Sequence, residues 1–130
     1  MIRLIASVIV VFGMPTVALG ESPVGLWQTQ PGKSGGFLHI KISNCGQSFC
    51  GTIETAFDST GTPAPAYEHL GKQMLVGLND VGNGEFVDGT IWDPESEKTF
   101  KSKMTYQNGD LEVFGCKGPI CRGNKWQRVR

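Results

Sequence analysis

The chain contains no run of charge of either sign. Its 12 Lys and Arg balance 12 Asp and Glu, for a formal net charge of +0, and the two signs are interspersed. Phosphate recognition needs a concentrated basic face, so nucleic acid is not an expected partner, and a basic patch for a membrane surface is missing as well. Histidine is scarce: His39 and His69 are the two present. Neither sits in a spacing such as H-E-x-x-H, so each reads as a lone surface residue. From Gly25 onward no long stretch has a period of 3.6, which argues against helices. No linker divides the sequence, and no pair of cysteines has the two-residue gap of a thioredoxin-type redox site.

What the chain does have begins with an export signal. Arg3 and the terminal amine form a positive start, Leu4 to Phe12 an apolar stretch, Met14-Pro15 a break and Ala18-Leu19-Gly20 a small-x-small cleavage site. A membrane anchor would need roughly 20 apolar residues, and Gly13, Pro15 and Thr16 interrupt this segment first. Residues 1–20 are therefore expected to be a signal peptide and 21–130 a single domain, exported to a periplasm or beyond the cell and free of the membrane after cleavage. A domain of about 110 residues removes roughly two-thirds of its extended surface from water on folding, so its core is modest and cross-links matter.

Four cysteines supply those cross-links: Cys45 and Cys50 in one short segment, Cys116 and Cys121 in another. In an oxidising compartment an even count reads as disulfides. Zinc is the rival reading, since a four-residue gap lies at the edge of what paired ligands allow. A bridge within each segment would contribute roughly 2 kcal/mol in the chain-entropy model, and a long bridge such as Cys45 to Cys121 about 4.5 kcal/mol. Entropy favours the long pairing. Each short pair, however, brackets a Gly-containing turn between apolar runs, which places its sulfurs across a hairpin, and the local pairs are expected.

Between the turns the pattern has period two. Leu38, Ile40 and Ile42 share one face, with Phe37, His39 and Lys41 on the other; Ile53, Thr55 and Phe57 alternate with Thr52, Glu54 and Ala56. Asp58 to Ala66 carries two prolines and small residues and reads as an exposed cap, followed by a single helical turn over Tyr67 to Leu70 and a short strand over Met74 to Leu78. Asn83-Gly84 and Asn108-Gly109 are hairpin signals, Asp93 to Lys98 another turn, and Lys125 to Arg130 a last strand. About eight short strands joined by short turns predict a small antiparallel up-and-down β-barrel, because closure removes exposed edges. A sandwich is the alternative.

Val24-Gly25-Leu26-Trp27, Cys45 to Ile53, Gly71 to Leu78, Gly89 to Pro94, Lys98-Thr99-Phe100, Gly115 to Arg122 and Trp126 to Val129 occur in this order. The ordered set resembles a bacterial family known as domain of unknown function 2147. That resemblance implies an exported protein with a lipocalin-like, or calycin, barrel, and it brings no known activity. In such barrels a Gly-x-Trp on the first strand lies under a basic side chain from the last. Gly25, Trp27 and Arg128 (or Arg130) are similar to that arrangement, in which the cation would contribute about 0.5 to 2 kcal/mol over the indole.

Site candidates are fewer. If Phe86, Asp88, Thr90 and Trp92 face inward, with Tyr106 beside them, the barrel holds an aromatic cavity with convergent polar groups; Phe86, Asp88, Trp92 and Tyr106 are then the ligand-binding candidates. If Val87, Gly89 and Ile91 face inward, the interior is packed core. Ser48 lacks the closing glycine of a nucleophile elbow and reads as turn chemistry. Asp88, Asp93, Glu95 and Glu97 show neither EF-hand order nor a glycosidase pair, so a solvated turn fits them. No catalytic residue, metal site or cofactor is expected, and the protein is not expected to be an enzyme. Two functions remain: binding of a small, partly apolar ligand inside the barrel, or an interaction module with a filled interior whose Asp58 to Leu70 loop meets an envelope or extracellular protein.

Overall fold

A computed structural model describes residues 22–130, and the expected signal peptide lies outside that range. Eight strands follow one another: β1 Gly25–Gln28, β2 Phe37–Cys45, β3 Ser48–Phe57, β4 Gln73–Gly82, β5 Glu85–Asp93, β6 Lys98–Gln107, β7 Asp110–Lys117 and β8 Ile120–Arg128. Each pairs antiparallel with the next, and β8 returns to β1 to close a barrel. No helix occurs among the described residues.

The two ends of the barrel differ because their connections differ. At one end lie two-residue turns: Gly46-Gln47, Asn83-Gly84 and Asn108-Gly109. Both residues of each Asn-Gly pair have positive φ, from 54° to 83°, which is the conformation a tight hairpin demands and which asparagine and glycine tolerate best. At the other end stand the longer connections 29–36, 58–72 and 94–97, together with the tight Gly118-Pro119 turn. Short turns draw the strands of the first end together. Long ones leave the second end, the mouth, room to open.

Three neighbouring strands carry extra residues, β4 more than one, and this decides which side chains point inward. Along β3 the buried pair Ile53 and Ala56 is separated by three positions instead of two, as are Leu75 and Leu78 on β4 and Phe86 and Gly89 on β5. Gly77 (φ 72°) and Asp88 (φ 61°) absorb the slip on β4 and β5. A bulge of this kind reverses the inward parity of everything beyond it. On β5 neither of the two expected inner faces is therefore realised: Phe86 is buried from one, Gly89 from the other, and Asp88 is exposed at the bulge itself. Gly89 is required where it sits, since a Cβ there would lie 2.7 Å from Leu78 Cγ and 2.8 Å from the Val76 carbonyl oxygen.

Other boundaries shift too. The expected helical turn at Tyr67 to Leu70 is a pair of successive turns, with Leu70 N–H donating to the Tyr67 carbonyl and Lys72 N–H to that of His69. β4 is twice the length expected, because the Gly77 bulge lets one strand run through what reads as a break. The last strand begins at Ile120 instead of Lys125, since the Cys116–Cys121 bridge and the Gly118-Pro119 turn start β8 directly after β7.

The narrow end is filled. Trp27, Ile42, Leu78, Phe86, Met104, Tyr106 and Leu111 are buried there, with Trp27 against Tyr106 edge to face at 6.0 Å and Phe86 against Phe49 at 5.2 Å. The chain ahead of β1 seals it: Trp27 Nε1 donates to the Pro23 carbonyl at 2.7 Å. Arg128 lies over the Trp27 ring at 4.4 Å and donates to the carbonyls of Val24 and Ser22 and to the Tyr106 hydroxyl. One guanidinium thus holds an indole, a phenol and the incoming backbone together. In a double-mutant cycle of Trp27→Leu and Arg128→Met followed by urea unfolding, the coupling is expected to be about 0.5 to 2 kcal/mol. Additive losses would contradict the clamp.

Candidate functional site

Above that floor the barrel is open. A cavity of about 1030 Å³ occupies the mouth half, comparable with the roughly 300–1,000 Å³ of ordinary small-molecule sites. Leu38, Ala56, Met74, Ile91, Val113 and Trp126 line it, Ala56, Met74 and Ile91 being brought there by the bulges of β3, β4 and β5, and Phe100 and Tyr67 line it too. None of the buried residues of the narrow end reaches it. The interior is thus packed at one end and hollow at the other, where the sequence leaves the choice between a core and a cavity open.

The β7–β8 hairpin forms the most polar wall. Its register pairs Lys117 with Ile120, Gly115 with Arg122, Val113 with Asn124 and Leu111 with Trp126. Buried Leu111, Val113 and Trp126 fix the inner face, so Gly115, Lys117, Ile120, Arg122 and Asn124 belong to it as well, and all five line the cavity. Cys116 and Cys121 are directly opposed on the outer face and bridged, which ties this register at the rim. Cys45 and Cys50 are bridged across the hairpin of the narrow end. Both cross-links are the local ones.

Carboxylates line the mouth as well, and each accepts hydrogen bonds from its own or a neighbouring loop. Asp58 Oδ1 accepts from Thr60 N and Oγ1 and from Thr62 N, at 2.6–3.0 Å, and these bonds lower its pKa. Asp93 accepts from Glu95 N and Ser96 Oγ. Glu95 accepts from the Lys33 amide at 3.0 Å, pinning the 29–36 loop to the β5–β6 turn. Burial raises the pKa of the Tyr67 hydroxyl, helped by the nearby charges of Glu68, Glu95 and Asp93.

The four ligand-binding candidates named from the sequence lie elsewhere. Phe86 and Tyr106 are inside the barrel but in the packed floor; Asp88 is exposed at its bulge. Trp92 is on the outer face, against His69 at 4.8 Å and under Lys72 at 4.0 Å. None of them lines the cavity: Phe86 and Tyr106 lie too deep, and the Asp88 bulge moves Ile91 inward in place of Trp92. Gly25 belongs to the seal instead, with Arg128 Nη1 and the Arg130 carbonyl oxygen 2.5 and 2.6 Å from where a Cβ would stand.

His69 has company that its sequence neighbours do not disclose. Its Nε2 lies 3.2 Å from Glu68 Oε1 and 3.8 Å from Glu97 Oε1, joining the 58–72 loop to the β5–β6 turn. The three ligand atoms lie within 4.8 Å of one another, so the group can serve as an ion pair or chelate a divalent cation; both glutamates are largely exposed. The contact is non-local, which hides it from any spacing motif.

A closed, eight-stranded antiparallel barrel with a cavity at one end and an Arg-over-Trp seal at the other is lipocalin-like in architecture. The chain belongs to the family described as an uncharacterized protein conserved in bacteria (DUF2147), which matches residues 25–128. Among solved structures it is similar to protein HP1028 from the human pathogen Helicobacter pylori, described as belonging to the lipocalin family, at 19% identity and a TM-score of 0.68 with 84% of each chain covered. At that identity the likeness carries the fold. No curated protein matches the sequence.

At the outer side of the rim, His39 stacks among Phe57 at 4.5 Å and Phe37 at 6.3 Å, and its Nε2 meets Gln28 Oε1 at 3.1 Å. Burial lowers its pKa below the usual 6.5, with Glu54 opposing and Arg130 adding to the effect. A depressed histidine binds its proton more readily in the unfolded chain, so its contribution to stability is complete above pH 6.5 and is lost as pH falls below that value through the folded one. His39→Gln is expected to lose less stability than the wild type between about pH 7.5 and about pH 5.5, measured by urea unfolding. An equal or steeper loss would contradict the assignment.

Proposed function

We propose that this protein is an exported binder of a small, partly apolar molecule, and not an enzyme. The observation that carries the reading is the hollow mouth half, whose walls are apolar side chains and whose rim carries a few polar groups. Apolar burial favours such a ligand by about 25 cal/mol for each Å² removed from water. The sealed floor limits access to one end, so a ligand enters and leaves past the 29–36 and 58–72 loops. Two disulfides suit an oxidising compartment, in line with the export signal expected at residues 1–20.

The competing reading, a protein-interaction module, requires a filled interior. Its loop, Asp58 to Leu70, is tied back to the barrel by a Phe57–Pro63 bridge and an Ala64 N–H bond to the Ala56 carbonyl, which suits a rim.

Two measurements test the proposal. Native mass spectrometry of freshly purified protein should reveal a copurifying small molecule. The uncharged fluorophore N-phenyl-1-naphthylamine should bind delipidated protein in one-to-one ratio, and Ala56→Trp, which places an indole in the hollow, should reduce that binding about ten-fold or more while the barrel still unfolds cooperatively. Uptake unchanged by Ala56→Trp, or no uptake at all, would overturn the cavity reading.

A further inference from the structure

The β7–β8 wall offers a gradient along its inner face. From mouth to floor it runs from Lys117 and Arg122 through Asn124 to Val113 and Trp126. Both cations lie on the rim, and among the described residues neither has a carboxylate within ion-pair distance. The rim carboxylates are in the opposite condition. Asp58, Asp93 and Glu95 each accept hydrogen bonds from their own or a neighbouring loop. Those carboxylates keep their charge and line the same cavity, but its charged donors left without a carboxylate partner among the described residues, to meet a ligand's acceptor oxygens, are Arg122 and Lys117, both on the β7–β8 wall. Gly115, paired with Arg122, adds no side chain beside the guanidinium.

Building on the cavity reading above, we propose that the ligand is an anionic single-chain amphiphile, with its acidic head at Arg122 and Lys117 and its apolar chain directed down to Trp126. The chemistry is that of a fatty-acid carboxylate or an alkyl phosphate. Arg122 supplies a planar donor fork suited to two acceptor oxygens, and Lys117 a second point charge. An apolar chain that extends from this head meets Val113, Ile91, Leu38 and Ala56, where no charged side chain lines the wall. The Cys116–Cys121 bridge on the outer face of the same hairpin holds the two cations in register.

The test compares dodecanoate, dodecyl phosphate, 1-dodecanol and dodecyltrimethylammonium as competitors of N-phenyl-1-naphthylamine on the delipidated protein, at low and high salt. The two anions are expected to bind about ten-fold more tightly than the alcohol, with the cation weakest and the advantage shrinking in salt. Arg122→Gln should remove most of that advantage, read as the ratio of each anion's affinity to that of the alcohol in the same variant; Lys117→Gln should remove part of it, and Arg122→Glu should turn the preference toward dodecyltrimethylammonium. Preference for one anion over the other tells carboxylate from phosphate as the source of the head. Equal binding of all four probes, or an anion preference untouched by Arg122→Gln, would overturn the headgroup assignment while the fluorophore result still supports the cavity. Loss of fluorophore binding in the wild type would remove both.

Discussion

Side chains on a closed antiparallel sheet must point alternately to one shared interior and to solvent, and the length of each connection sets how tightly the strands converge around that interior. Here three two-residue turns gather one end, and three longer connections spread the other. The consequence is an interior of two kinds. Aromatic and branched side chains meet across the narrow end and exclude a ligand, whereas at the wide end the same alternation lines a hollow. The Arg128 guanidinium completes the narrow end by bonding to the very backbone segment that would otherwise leave carbonyls unpaired at the start of β1.

The barrel itself is legible in the sequence. Period-two segments, Asn-Gly turns and the two cysteine hairpins are all local signals, and they specify strand number and direction. Closure follows from them only through the need to remove edges, which leaves a sandwich as the alternative until the pairing of β8 with β1 decides it. Leu38, Ile40 and Ile42 share the face assigned to them because β2 pairs with β1 without interruption. The inward face of β5 is not legible, because it depends on one extra residue at Asp88 whose left-handed backbone no alternation pattern announces. Attention to Trp92 as an aromatic cavity residue overlooks that parity change, while Tyr106 faces inward as expected but at the packed end. The polar wall was within reach: once Gly118-Pro119 is taken as a two-residue turn between opposed cysteines, counting outward places Lys117, Arg122 and Asn124 on the face of Val113 and Trp126. The contact of His69 with Glu97 depends on how a loop and a turn meet in space, and no spacing encodes it.

The energetic division follows the same geometry. The packed floor and the clamp, with disulfides worth roughly 2 kcal/mol each, carry stability. The mouth is tied by the Cys116–Cys121 bridge and the Lys33–Glu95 hydrogen bond, while its inner side chains line a hollow instead of a packed core. Asp58, Asp93 and Glu95 spend acceptor oxygens on backbone donors of the loops, whereas Lys117 and Arg122 of the β7–β8 hairpin have no carboxylate partner among the described residues. Packed core and hollow thereby fall at opposite ends of one short barrel.

The most direct test of this division is a methyl-resolved NMR experiment on delipidated protein saturated with dodecanoate, reading nuclear Overhauser contacts from the alkyl chain. Contacts are expected to the methyls of Leu38, Ala56, Ile91 and Val113 and not to those of Ile42, Leu78 or Leu111. Contacts to the second set, or only to the outward methyls of Val76 and Val81, would contradict a barrel that is solid at one end and receptive at the other.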